Sequence, residues 1–184
     1  MTFSRKIVIV GNSTVGKTAI LKRILKSSFT HEYSPTIFDQ YKKELNTNCG
    51  VVNVEIWDTA GQEKYDKLRP LSFDKANLII LAFNIADKFS FASIHRRWYP
   101  EAKHNCPYVK FMLLGLKSDL RNELPNILVP EEEVVSLARR YGWNYLECSA
   151  LTGENSDKVI LVALKSIEDE NWDDEYKDRK CVLQ

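Results

Sequence analysis

Apolar positions along the chain fall into short blocks and spaced runs, and the two alternate. Lys6-Ile7-Val8-Ile9-Val10 is a β-branched block of the length of a strand. A glycine-containing turn follows. Ile20, Leu21, Ile24 and Leu25 then recur at the spacing of one helix face, which predicts a helix over about Lys17 to Lys26. Residues 28–40 show no period and read as a loop. Val52, Val54 and Ile56 alternate with Asn53, Glu55 and Trp57. Val51 to Trp57 is therefore expected as a strand, in a hairpin with about Tyr41 to Thr47 through Asn48-Cys49-Gly50. The runs from Leu78 to Phe83 and from Phe111 to Gly115 are continuously apolar, as in strands covered on both faces. Asn144 to Cys148 is a weaker last strand, and helices are expected at about 88–104, 131–141 and 155–169. Strands alternating with helices predict an α/β class: a three-layer α/β/α domain on a six-stranded, mostly parallel sheet. Ligands of such sheets sit outside the carboxyl ends of the strands.

Composition narrows the class without naming a chemistry. The 184 residues carry a formal net charge of +1 and are 44% hydrophobic. That is one globular domain with no overall basic field to attract nucleic acid. Cys49, Cys106, Cys148 and Cys181 form neither a C-x-x-C pair nor a zinc spacing, so Cys49, Cys106 and Cys148 are expected as reduced thiols in a cytoplasmic protein. No apolar run approaches the length of a spanning helix. The start, Met1-Thr2-Phe3-Ser4-Arg5-Lys6, lacks the apolar segment of a signal peptide.

The turn after the first strand changes this picture. Gly11-Asn12-Ser13-Thr14-Val15-Gly16-Lys17-Thr18 fits G-x-x-x-x-G-K-[ST], the phosphate loop of P-loop NTPases. Its glycines let backbone amides curl around phosphate oxygens. Lys17 can reach the terminal phosphates and the Thr18 hydroxyl can ligate Mg²⁺. The helix beginning there adds its positive end. Ser13, Thr14, Val15, Gly16, Lys17, Thr18 and Ala19 are thus the expected phosphate-binding residues. Further along, Asp58-Thr59-Ala60-Gly61-Gln62 follows the third strand. Asp58 can hold Mg²⁺ through water, Gly61 can bring its amide to a γ-phosphate, and Gln62 can orient an attacking water.

At these residues the chain resembles the Ras superfamily, and within it the Rho/Rac family of small GTPases. The resemblance covers most of the chain. It is carried by Tyr33-Ser34-Pro35-Thr36-Ile37-Phe38-Asp39-Gln40-Tyr41, Trp57-Asp58-Thr59-Ala60-Gly61-Gln62-Glu63, Leu68-Arg69-Pro70-Leu71-Ser72-Phe73, Arg97-Trp98-Tyr99-Pro100-Glu101 and Glu147-Cys148-Ser149-Ala150-Leu151. It implies a G domain over residues 1–170 and a flexible tail over 171–184. The implied function is a switch cycling between GDP and GTP with Mg²⁺, hydrolysing GTP slowly with Gln62, Thr36 and Gly61 as catalytic residues. Thr18, Thr36 and Asp58 (through water) would serve the metal. Phe29 resembles the aromatic packed on the guanine plane, and Tyr33 belongs to the same nucleotide-binding set. Lys117 and Asp119 match the guanine motif, with Leu120 beside them. A carboxylate at 119 can accept from guanine N1 and N2, which adenine cannot match. The amide of Ala150, between Ser149 and Leu151, resembles the one that reads guanine O6. Implied partners are exchange factors, GTPase-activating proteins and effectors at 33–41 and 62–74, a soluble GDI-type carrier, and signalling to the actin cytoskeleton or membrane dynamics. The protein is expected to be a monomer.

Three departures from the family pattern qualify this. Ser13 replaces the glycine of most Rho and Ras proteins, as in Rnd proteins that hydrolyse poorly, but Gln62, which Rnd proteins lack, is present. A GTP-loaded binding module of the Rnd kind is the alternative. Leu116 stands where relatives carry Asn or Thr, which predicts looser nucleotide binding. The stretch from Leu120 to Pro130 is too short for the full helical insert of Rho proteins. Finally, Cys181-Val182-Leu183-Gln184 fits C-a-a-X with farnesyl preference. Lys177, Arg179 and Lys180 stand among Asp173, Asp174, Glu175 and Asp178. One prenyl chain beside an acidic tail predicts reversible association with the cytoplasmic face of a membrane.

Overall fold

The computed structural model describes residues 2–26, 38–47, 50–62, 65–123 and 127–168. Among the described residues, six strands form one sheet: β1 (Thr2–Val10), β2 (Phe38–Thr47), β3 (Gly50–Thr59), β4 (Leu78–Asn84), β5 (Lys110–Leu116) and β6 (Asn144–Cys148). Their order is β2-β3-β1-β4-β5-β6, with only β2 antiparallel to its neighbour. The helices are α1 (Lys17–Lys26), α2 (Pro70–Phe73), α3 (Lys88–Ser93), α4 (Tyr99–Asn105), α5 (Leu120–Glu123), α6 (Glu131–Tyr141) and α7 (Lys158–Glu168). A π-helical turn, Ile94–Trp98, joins α3 to α4.

The two-residue period of a strand explains the layers. In β1, Ile7 and Ile9 join a core with Ile20, Leu21 and Ile24 of α1 and Val159, Ile160 and Ala163 of α7. Val8 and Val10 point the other way, into a core with Phe73, Ile94, Trp98, Val134 and Ala138. Both cores share β4 and β5, whose apolar residues are almost wholly buried. That double burial is why those strands read as unbroken apolar runs.

The differences from the sequence expectations have local causes. β3 runs through Asp58 and Thr59 because Ile9 of β1 pairs with Asp58, and Phe38 of β2 with Thr59. The same antiparallel ladder draws residues 38–40 into β2, although they read as loop. Asn155, with φ 53°, belongs to the turn before α7, which starts at Lys158 and not near 155. The helix expected over 88–104 is real in extent but interrupted by the π-helical turn. In the short stretch after β5, α5 is a single turn. The hairpin residues 48–49 and the tail from residue 169 lie outside the described residues. No helix among the described residues is long and apolar enough to cross a membrane.

Candidate functional site

Because β1, β3, β4, β5 and β6 are parallel, their carboxyl ends open at one edge of the sheet. There the segments 11–18, 58–62, 117–121 and 149–154 meet. The phosphate loop owes its shape to glycine. A Cβ at Gly11 would lie 2.1 Å from the Ala82 carbonyl oxygen, so no side chain fits. Gly16 has φ 113° and Thr14 has φ 64°, the left-handed conformations that turn successive amides to one side. α1 begins with Ile20 N donating to Gly16 O at 3.0 Å.

Lys17 is 6% exposed, and its ammonium donates to the carbonyls of Gly11 (2.8 Å) and Asn12 (2.9 Å). Burial pushes its pKa down to about 8, partly opposed by the Asp58 carboxylate, with Arg69 adding to the fall. The lysine therefore bridges the loop's own carbonyls, within reach of an anion lying in the loop. Thr18 Oγ1 donates to Asp58 Oδ2 at 2.5 Å, and Asp58 is wholly buried. A hydroxyl beside a carboxylate is a pair of hard oxygen donors. No group of three or more His, Cys, Asp or Glu that could hold a metal occurs among the described residues. This donor set fits Mg²⁺ at a phosphate, which takes one or two protein oxygens and completes its shell with waters and phosphate oxygens.

Gly61 lies directly on the phosphate loop. A Cβ there would come within 2.3 Å of Ser13 N, 2.5 Å of Asn12 C and 2.6 Å of Gly11 O. Gln62 follows, and behind it is a buried cluster that the sequence motifs did not announce. Arg69, 2% exposed, donates to Ala60 O through Nε (3.2 Å) and Nη2 (3.1 Å), and to Gln62 O at 3.4 Å. Its Nη1 also donates to both carboxylate oxygens of Glu101 at 2.8 and 2.9 Å, and Nη2 reaches Asp66 at 2.8 Å. Its guanidinium lies 4.7 Å above the Trp98 ring, while Arg97 lies 4.5 Å from that ring and also binds Asp66. The Trp98 indole donates to Asn12 Oδ1 at 2.6 Å. A continuous chain of contacts thus joins the phosphate loop to residues 60–69.

At the far side, Ser149 Oγ donates to Asp119 Oδ1, and Ser118 N donates to Cys148 O at 3.1 Å. Leu120 N closes a turn on Lys117 O at 3.0 Å. Lys117, with φ 64°, lies beside Gly16: a Cβ added to that glycine would stand 3.9 Å from the lysine Cε. Ala150 and Leu151 follow Ser149 on the same loop. Arg121 forks onto Glu147 and donates to Val129 O at 3.0 Å. Phe29, Tyr33 and Thr36 fall outside the described residues, as does Cys181.

The sequence profile of the Ras family matches residues 6–169. Over 169 residues the chain is 38% identical to GTP-binding protein RHO2 of Saccharomyces cerevisiae, covering 88% of each protein. The chain belongs to the Rho family of small GTPases. GTP-binding protein RHO4 of the same yeast is 40% identical over 166 residues, 88% of this chain. GTP-binding protein rhoC of Emericella nidulans is 38% identical over 185 residues, 93% of this chain. This Rho GTPase spans 57% of the length of RHO4 and 66% of rhoC.

The sequence motifs gave no sign of Arg69, Trp98 and Asn12 as a unit, nor of Ser118, whose hydroxyl donates to the Glu154 carboxylate at 2.6 Å. The signals were present only as isolated residues, an arginine and a tryptophan far apart in sequence. Trp57 is half-buried beneath the Lys6 ammonium, which lies 3.7 Å from its ring. With Thr59, Ala60, Tyr65, Leu68 and Leu71 it lines a mostly apolar cavity of about 350 Å³.

Proposed function

We propose that this Rho GTPase is a guanine-nucleotide switch, with a G domain over 1–170 and a tail over 171–184, that binds GDP or GTP with Mg²⁺ and hydrolyses GTP slowly. The observation that carries the reading is the meeting of a glycine-shaped phosphate loop, a hydroxyl–carboxylate pair and Asp119 at one sheet edge. The loop amides and Lys17 bind the phosphates. Thr18 and Asp58, with Thr36, would hold Mg²⁺, which supplies neutralising charge at the phosphates when bound. Gly61 presents its amide to the γ-phosphate and Gln62 orients the water. Asp119 and the Ala150 amide read the base, with Phe29, Tyr33, Lys117, Leu120 and Leu151 enclosing it. Competition of GTP against ATP for the purified protein tests the base specificity, and preference for ATP would sink the reading.

In single-turnover hydrolysis, Gln62→Leu is expected to slow the reaction about tenfold, the worth of one orienting hydrogen bond. Equal, near-zero rates in both proteins would favour instead a GTP-loaded binding module. What favours that second reading is the Ser13 side chain itself, standing in the phosphate loop where a glycine would leave room for an arginine inserted by an activating protein.

Leu116 is 2% exposed and packs in the apolar core beside Gly16. Its side chain has no hydrogen-bonding group with which to tie the base loop to the phosphate loop. Leu116→Asn should slow GDP release about tenfold, as one added buried hydrogen bond would, measured by displacement of a fluorescent GDP. An unchanged rate would show that position 116 does not set residence.

Exposed Leu68 and Leu71 beside the apolar cavity support residues 62–74, with 33–41, as the surface for effectors, exchange factors and activating proteins. Gain and loss of the γ-phosphate would order and release these segments. A prenyl group on Cys181 would give reversible membrane contact and make a GDI-type carrier a natural partner.

A further inference from the structure

Two loops supply the base-reading residues of the function proposed above, 117–120 after β5 and 149–151 after β6. Nothing in a parallel sheet fixes the distance between two such loops beyond the last ladder pair, here Leu116 with Cys148. Beyond that pair, Ser118 N donates to Cys148 O at 3.1 Å and Arg121 forks onto Glu147, but neither bond reaches the 149–154 turn.

Glu154 makes that connection. Its backbone oxygen accepts from Ser149 N at 3.0 Å, and its carboxylate accepts from Ser118 Oγ at 2.6 Å. Ser118 precedes Asp119 and is 6% exposed. Ser149 Oγ in turn donates to Asp119. The four residues close a ring: Ser118 to Glu154, Glu154 to Ser149, Ser149 to Asp119, and Asp119 back to Ser118 through the chain. The turn carrying Glu154 is held independently. Gly153 (φ 85°) donates its N–H to Ser149 O at 3.0 Å, and Asn155 donates its side-chain amide to Glu147 O at 3.0 Å. Glu154 is therefore delivered to Ser118 by a preset turn, so little ordering entropy opposes the contact. A hydroxyl-to-carboxylate bond is of the stronger, charge-assisted kind.

Leu116 gives the ring its importance. With only apolar contact from Leu116 to the phosphate loop, the base loop takes its polar anchorage from the end of β6, from Val129 and from the 149–154 turn. We propose that Ser118 and Glu154 form a clasp that positions Asp119, and thereby sets both the residence of the nucleotide and the selectivity for the guanine 2-amino group. The inference rests on the guanine-nucleotide reading above. Both clasp members are positioning residues, acting through Asp119.

Release of fluorescent GDP and of the matching inosine diphosphate, which lacks the 2-amino group, tests this. Ser118→Ala and Glu154→Ala should each speed GDP release about fivefold. The double variant should release no faster than either single one, because they cut the same bond. Inosine diphosphate release should change less, so the preference for GDP over it falls. Ser118→Thr, which keeps the hydroxyl, should restore the wild-type rate. Unchanged GDP release, additive effects, or equal acceleration of both nucleotides would overturn the clasp. Wild-type protein that holds GDP tightly while the variants match it would overturn the clasp alone. Wild-type protein that binds no guanine nucleotide would overturn the parent reading as well.

Discussion

Gly61→Ala is expected to slow single-turnover GTP hydrolysis roughly 100-fold, the usual cost of displacing a reacting group by about 1 Å. The added methyl would sit 2.3 Å from Ser13 N and 2.5 Å from Asn12 C. Both are backbone atoms, so no rotamer change relieves the overlap, and one of the two segments must move. The phosphate loop is the better anchored. Gly11 is pressed against Ala82 O, Lys17 ties the carbonyls of Gly11 and Asn12 together, and the Trp98 indole holds the Asn12 side chain. The segment carrying Gly61 must therefore retreat, taking the Gly61 amide from the γ-phosphate as well as Gln62 from the attacking water, which is why the effect exceeds that of Gln62→Leu. GTP binding should survive, because the phosphate loop, Asp119 and Ser149 are untouched. Retained binding with a wild-type rate would show that Gly61 lies elsewhere during hydrolysis.

What the sequence disclosed about this site was what is local in the chain. The phosphate loop is one continuous octapeptide whose glycines report backbone shape directly. Strands β4 and β5 announced themselves because burial on both faces leaves no polar position from Leu78 to Phe83 or from Phe111 to Leu116. The π-helical turn was not legible, since one extra residue in a helix of this length barely disturbs the spacing of Ile94, Trp98 and Ala102. Asp58 and Thr59 read as the start of a loop because their polar side chains hid strand backbone, which β2 pairs at both residues and β1 at Asp58. The clasp was hidden for another reason. Ser118 and Glu154 are ordinary surface residue types, and only the β5–β6 register brings them together.

The Arg69 cluster shows the same limit, and removing it should have the largest effect on stability. Arg69→Ala is expected to cost about 3 kcal/mol, the lower end for removing one partner of a buried ion pair. That corresponds to a fall of roughly 6–12 °C in the melting midpoint for a domain of this size. Most of the loss comes from the fork onto Glu101, whose side chain is 20% exposed, and from the carbonyls of Ala60 and Gln62. The contact with Asp66, 46% exposed, is screened by water and adds little. Losing the guanidinium leaves the Glu101 carboxylate without its forked partner and frees the backbone at Ala60, one residue before the contact with the phosphate loop. Hydrolysis should therefore fall together with stability. Arg69→Lys keeps a charge but lacks the planar fork, and cannot serve Glu101, Ala60 and Asp66 at once. It should recover less than half of the lost stability. Thermal unfolding of the GDP-bound variants decides between the two origins of the effect: full recovery in Arg69→Lys would show that charge alone matters, and partial recovery that the geometry of the fork holds residues 60–69 against the phosphate loop.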